Sequence, residues 1–398
     1  MKFNPDVNYL KVNLISFAKR IVIAAVLTSN ISLSFSLSSF ASTAKGIAVS
    51  DSAQLLTYKK PSGERKQVKK LSDWNIKRQQ ILDNMQKAMG VLPDRSNLPA
   101  FNVKFVDSLK GTNHTRYEIK FTVAPNEELT ALLYVPFQKE KPKKLPAMLV
   151  LHGTDPLGKY ILSGQSPKPN RAYAIELAER GYVVIAPDYP SFGGSADYNF
   201  ETDRYESGTM KAIFNHMRSV DLLQSRADVD PERIGVIGHS LGGHNAMFAG
   251  AFDTRLKVIV ASCGWTLFES YNIGEEASKK YGGALGPWAQ TRYMPLIRDK
   301  YNLDVKKVPF DFDEIIATLA PRPFYSNSPL SDSNFDVNGV KKGIAHASQV
   351  YKFHNAINNL QVRYPQAEHD FPDAERLEAY QFIDKVLKHT PSKHELHH

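Results

Sequence analysis

The chain has 398 residues, 42% hydrophobic and 23% charged, with 50 lysines and arginines against 41 aspartates and glutamates, a formal charge of +9. That balance supplies a large core and excludes a disordered, collagen-like or small disulfide-stapled protein. The single cysteine, Cys263, excludes an internal disulfide and a zinc cluster built on thiolates. Residues 1–20 carry Lys2, Lys11, Lys19 and Arg20 against Asp6; an apolar run opens at Ile21 and continues to Phe40, and small residues follow to Ala44. A basic start, an apolar middle and a small-residue exit predict a secretory signal peptide over residues 1–41. A membrane anchor is the poorer reading, because serines and Asn30 dilute the run. Its removal takes four bases and one acid, leaving 46 against 40, or +6. The expectation is an exported bacterial protein, periplasmic or secreted, with no membrane span after cleavage.

Residues 42–70 are polar and predict an irregular arm. Leu71–Gly90 predicts a helix, with Ser72 and Asp73 as caps and Trp74, Ile76, Ile81, Leu82, Met85 and Met89 at broadly helical spacing. The basic runs Lys59–Lys70 and Lys139–Lys144 are not interleaved with aromatics, which argues against nucleic-acid binding. Phe101–Val106, Tyr117–Val123 and Leu129–Val135 alternate as strands and predict antiparallel pairing.

From Pro146 the pattern becomes short apolar runs separated by helices. The runs are Ala147–Leu151, Tyr182–Ala186, Ile234–Ile237, Val258–Ala261, Phe324–Tyr325 and Gln361–Tyr364. The helical segments are Arg171–Arg180, Met210–Arg226, Gly243–Phe252, Val340–Asn358 and Ala374–Leu387. This alternation predicts an α/β fold, a mostly parallel sheet covered by helices on both faces. The expected organisation is an arm and helix over 42–100, one α/β domain over 101–390, and a tail over 391–398. Residues 263–320 are too long for a simple connection and predict a lid-like insertion.

The sharpest local signal is Gly238-His239-Ser240-Leu241-Gly242-Gly243, which follows an apolar strand and opens a helix. That context fits a G-x-S-x-G nucleophile elbow, in which a serine occupies a strained turn between closely packed strand and helix. A serine nucleophile needs a base and a group that orients the base. His369 follows the last predicted strand and precedes the final helix, the place a base occupies when the order is serine, acid, histidine. His346 and His354 fall inside a predicted helix, while His239 and His244 flank the serine and His152 precedes it. The acid is expected after Phe324-Tyr325, where Asp332 is preferred and Asp336 is the alternative. Two backbone N–H groups should hold the oxyanion: that of Leu241, and that of Thr154 with Gly153 as the alternative. Trp265, Trp288, Arg292 and Tyr293 in the insertion are candidate substrate contacts; core packing is the competing reading.

Pro231–Gly243, His152-Gly153, the Asp332 loop and His369 together resemble the α/β-hydrolase superfamily, over roughly residues 115–390. Within it the chain is most similar to bacterial dienelactone hydrolase-like and acetyl xylan esterase-like proteins. The resemblance implies hydrolysis of a carboxylic ester through a serine acyl-enzyme, with no metal or other cofactor and a small-molecule or oligosaccharide ester as substrate. The serine stands where true dienelactone hydrolases carry cysteine, and Ser326–Asp332 departs from the commoner Gly-x-x-Asp loop. A prolyl oligopeptidase-type peptidase is the first alternative, but about 100 N-terminal residues cannot build the four-stranded blades of its propeller. A non-catalytic ligand-binding module is the second, and would not need all three triad residues. The terminal His394-Glu395-Leu396-His397-His398 spells a zinc-protease motif, but nothing in this sequence follows it to supply a further ligand and Pro391 precedes it. It reads as a tail.

Overall fold

The computed structural model describes residues 55–138 and 143–391. The expected signal segment, residues 139–142 of the second basic run and the terminal His394–His398 motif lie outside the described residues. Thr57–Lys59 (β1) and Arg65–Gln67 (β2) pair as an antiparallel hairpin where the polar composition predicted irregular chain. Its turn explains the difference: Gly63 adopts φ 89° and its N–H bonds to the Lys60 carbonyl. Leu71–Met89 (α1) follows. Here Asp73, from inside the first turn, accepts the N–H groups of Lys69 and Lys70 at 3.0 and 3.2 Å. Lys70 is therefore the N-terminal boundary, and Ser72 is not a cap. The helix buries Trp74, Ile81, Leu82, Met85 and Met89, while Ile76, expected inside, is 45% exposed.

Lys104–Lys110 (β3), His114–Ala124 (β4) and Glu127–Pro136 (β5) form the predicted antiparallel meander. Leu145–Leu151 (β6) then opens the alternating part, with Tyr173–Glu179 (α2), Val183–Pro187 (β7), Gly208–Ser225 (α3), Val229–His239 (β8), Leu241–Phe252 (α4) and Leu256–Ser262 (β9). The insertion carries Glu275–Lys280 (α5), Leu296–Asp299 (α6) and Phe312–Leu319 (α7). Phe324–Asn327 (β10), Val337–Phe353 (α8), Leu360–Arg363 (β11) and Asp373–Val386 (α9) complete the described chain. The strands make one nine-stranded sheet in the order β11-β10-β9-β8-β6-β7-β5-β4-β3. The pairs from β11 to β7 are parallel, and β5 joins β7 antiparallel.

Strand periodicity divides the core. In β6, Ala147, Leu149 and Leu151 face the layer containing α1, α3 and α4, whereas Met148 and Val150 face the layer of α2 and α9. Both faces of the central strands are covered, so these strands read as continuous apolar runs in the sequence. The insertion joins the first layer through Phe268, Trp288, Phe310, Phe312 and Ile315. Lys77–Glu314 at 3.1 Å and the Arg78 guanidinium on Thr318 O at 3.1 Å tie α7 to α1. Among the described residues no helix is long and apolar enough to cross a membrane.

Candidate active site

Ser240 lies between β8 and α4 with φ 57° and ψ −120°, a backbone conformation that strains any residue with a Cβ. The surroundings hold it there: its N–H bonds Ser262 O at 2.8 Å, and its carbonyl accepts Gly243 N–H at 2.8 Å. A side chain on Gly238 would overlap the Gly242 carbonyl, and one on Gly242 would overlap the Leu151 carbonyl. Both glycines are required by space, which lets the first turn of α4 sit directly against the ends of β8 and β6.

His369, in the loop after β11, brings Nε2 to 2.9 Å from Ser240 Oγ and Nδ1 to 3.0 Å from both oxygens of Asp332. An ionised carboxylate only accepts, so Nδ1 carries the proton and Nε2 is free to accept from the serine hydroxyl. Asp332 Oδ1 also accepts the N–H groups of Asn334 (2.8 Å) and Phe335 (3.2 Å), which fix the acid before the histidine meets it. Asp336 does something else: it caps α8, accepting Asn338 N–H at 2.6 Å and Gly339 N–H at 3.3 Å. The rival histidines are placed apart from this chain of bonds. His346 pairs with Asp313 at 2.7 Å, and His354 packs edge-on against Trp74. His239 lies with its ring 4.9 Å from that of His369; burial, with the positive Arg171 adding to it, pushes its pKa well down.

Leu241 N–H stands at the first turn of α4, directly after the serine. On the opposite side Gly153 approaches Ser240, a Cβ built there lying 3.6 Å from the serine Cβ. His152 sets the geometry of that loop. Tyr189 N–H donates to its Nε2 at 2.9 Å, so Nδ1 holds the proton and donates to Gly153 O at 2.7 Å. A trans peptide points its N–H opposite its C=O, so the Thr154 N–H faces away from His152. Burial lowers the pKa of His152 and keeps it neutral in this role. Tyr189 is held in turn through its hydroxyl, which donates to Arg292 O at 2.7 Å, and the carboxylate of its neighbour Asp188 is paired with buried Lys159 at 2.7 Å.

Of the four residues singled out as substrate contacts, Trp265 is corrected. It is 1% exposed with its indole N–H on Ser326 Oγ at 3.0 Å, a core residue. Trp288 is 6% exposed, packs on His244, Phe268 and Phe335, and has no hydrogen-bond partner for its indole N–H. Phe335 is itself 5.9 Å from the His369 ring. Tyr293 reaches Thr154, hydroxyl to hydroxyl, at 3.3 Å, and the Arg292 guanidinium lies 5.2 Å over the Phe192 ring. Among the described residues one trio could hold a metal: Cys263, Asp332 and His369 present ligand atoms within 4.8 Å of one another. Two of the three belong to the Ser–His–Asp chain of hydrogen bonds.

Comparison with known proteins agrees with this fold. A solved glucuronoyl esterase from Solibacter usitatus superposes with a TM-score of 0.62 at 21% identity, covering 83% of this chain and 96% of that one. The chain has the α/β-hydrolase fold. A family model described as glucuronyl esterase, fungi, matches residues 196–354 of this chain. The hydrolase-like protein YtaP of Bacillus subtilis (strain 168) is 26% identical over 315 residues, 76% of this chain and 97% of its own length. The carbohydrate esterase MZ0003, from an unknown prokaryotic organism, is 25% identical over 354 residues, 76% of this chain and 80% of its own. With these relatives and its Ser–His–Asp geometry, the chain is a serine hydrolase of the carboxylic-ester class.

Proposed function

We propose that this hydrolase deacylates a carbohydrate ester through a covalent intermediate on Ser240, outside the cytoplasm of a bacterium. The observation that carries the reading is the continuous chain Ser240 Oγ–His369–Asp332, with both links at 2.9–3.0 Å. Ser240 Oγ attacks the ester carbonyl while His369 Nε2 takes its proton. The Leu241 and Thr154 N–H groups, with Gly153 as alternative to Thr154, receive the oxyanion. Collapse breaks the bond to the alcohol, which leaves with the proton from His369. Water then attacks the acyl-serine by the same route and releases the acid. Asp332 holds the tautomer and stabilises the imidazolium. The carbohydrate part of the reading is supported by the relatives' names, and by Tyr293, whose hydroxyl lies 3.3 Å from that of Thr154 in the oxyanion loop. Export is supported by the composition of residues 1–41.

The test is a panel of acetylated xylo-oligosaccharides, glucuronoyl esters, feruloyl esters and simple aryl esters, run with wild type and Ser240→Ala. Turnover should fall by about 10⁴–10⁶ in the variant, and a serine-directed phosphonate should label Ser240 alone. Wild-type turnover in the variant would sink the mechanism. Turnover of aryl esters with none of any sugar ester would sink the substrate class alone.

A further inference from the structure

His369 is aimed by two hydrogen bonds through its ring, but a ring is placed by its backbone, and here the backbone is gripped from three directions. Arg171, in the loop before α2, donates through Nη1 to Asp370 Oδ1 at 2.7 Å and through Nη2 to the His369 carbonyl at 3.3 Å. Asn170 donates to the other Asp370 oxygen at 2.8 Å. From the end of β9, the Cys263 thiol donates to the Asp370 carbonyl at 3.0 Å. From the end of β10, Asn327 Nδ2 donates to the same carbonyl at 2.9 Å. Asp370 N–H closes a tight turn onto Glu368 O at 2.7 Å.

Two features mark this grip as more than incidental packing. Asn170 and Cys263 both adopt left-handed backbone, φ 61° and 47°, a conformation that strains a side-chain-bearing residue and persists where the surroundings over-determine it. For Cys263 that conformation ends β9 with the thiol under the histidine loop. Burial pushes the thiol pKa well up, so the sulfur remains a donor. The Asp370 carboxyl is half-buried, which alone would raise its pKa. The hydrogen bonds from Arg171 and Asn170 prevail and hold it below the usual carboxylate range.

We infer that Asp370, held by Arg171, Asn170, Cys263 and Asn327, is a clamp that positions His369 for proton transfer. None of these residues touches the reacting atoms; they are positioning residues, and the inference rests on His369 being the base. A displacement of about 1 Å at a catalytic group can lower rate by on the order of a hundredfold. The clamp reaches the histidine loop from the ends of β9 and β10, which the sheet fixes, and from the residues that lead into α2.

The experiment compares Arg171→Met, Asp370→Ala, the double variant and Arg171→Lys on one aryl ester, with thermal melts. Each single loss should lower kcat by about 10–100-fold while KM stays within about twofold, because substrate binding is untouched. The double variant should be no worse than the poorer single, since both remove one device. Arg171→Lys restores one charged donor and should recover most of the lost kcat. Folded Arg171→Met and Asp370→Ala with kcat within about twofold of wild type would overturn the clamp, as would losses that multiply in the double variant. If either variant fails to fold, Cys263→Ala removes one donor with little change in volume. It should lower kcat by about three- to tenfold at unchanged KM, and wild-type kcat there would equally overturn the inference. His369→Ala separates the two levels: an active His369→Ala variant removes the catalytic reading itself, whereas an inactive one beside a fully active Arg171→Met removes the clamp alone.

Discussion

Asp332 and Asp336 share one loop and end in different structures. Asp332 faces the histidine, with its carboxylate pre-set by two backbone N–H groups, while Asp336 satisfies the free N–H groups at the start of α8. Asp332→Asn should leave the fold intact and lower kcat by about 10⁴, as for the corresponding change in the trypsin triad, with little effect on KM. Asp336→Asn should remain active, because an asparagine caps nearly as well, and Asp336→Ala should lose about 1 kcal/mol of stability without losing turnover. Kinetics on one ester and one melt per variant check this; the reverse pattern would move the orienting acid to Asp336. The serine and histidine were legible in the sequence because each sits at a fixed place in the order of strands and helices. The acid was legible only as a preference, since a turn aspartate and an orienting aspartate look alike until the histidine is in place. The clamp was not legible at all: Arg171 and Asp370 are 199 residues apart, and no local spacing connects them.

At the scale of elements, the central parallel strands were legible because both of their faces are buried, but only as cores: β8 runs Val229–His239 where the apolar run marks Ile234–Ile237. Trp265 illustrates where that reading failed. Its proximity to a strand end suggested a ligand platform, but the packing of α8 and the insertion over β10 takes it into the core. There Gly343 approaches the indole so closely that a Cβ would lie 2.8 Å from its Cζ3. The hairpin of β1 and β2 was missed because its residues are exposed and polar, so periodicity carried no signal and only the turn did. The elbow is the element whose sequence and structure agree most closely, and its glycines give a sharp contrast. Gly242→Ala places a methyl group against the Leu151 carbonyl, where neither backbone can move without displacing Ser240. It should destabilise the protein by roughly 3 kcal/mol or more, or prevent folding. Gly153→Ala meets the His239 carbonyl at 3.4 Å and Ser240 Cβ at 3.6 Å, close to ordinary contact, and should fold. Comparable melting temperatures for the two variants would show that α4 does not need its close seat on β6.

For the molecule as a whole, the chain buries four histidines around the elbow: His152 at the end of β6, His216 on α3, His239 at the end of β8 and His244 on α4. Burial lowers the pKa of all four, to about 3 for His216 and His244. The unfolded chain holds them near 6.5. Below about pH 6.5 the unfolded chain therefore takes up protons that the folded chain refuses, so stability is present above that pH and falls as pH drops toward the folded values. Asp203, Asp311 and Glu314 act in the opposite sense, since burial pushes their carboxyls up and the folded state gains protons there. His216 isolates the first effect, because burial is the largest cause of its shift and only the Asn245 side chain opposes it. At pH 5 this one residue should withhold up to about 2 kcal/mol, from 1.36 kcal/mol per pKa unit across the interval from 6.5. His216→Leu should match or exceed wild-type stability at pH 7 and lose less of it on going to pH 5. Denaturant melts of both proteins at the two pH values measure the difference in slope directly. Parallel pH profiles would mean that His216 is protonated in the folded protein, and would remove it as a source of acid sensitivity.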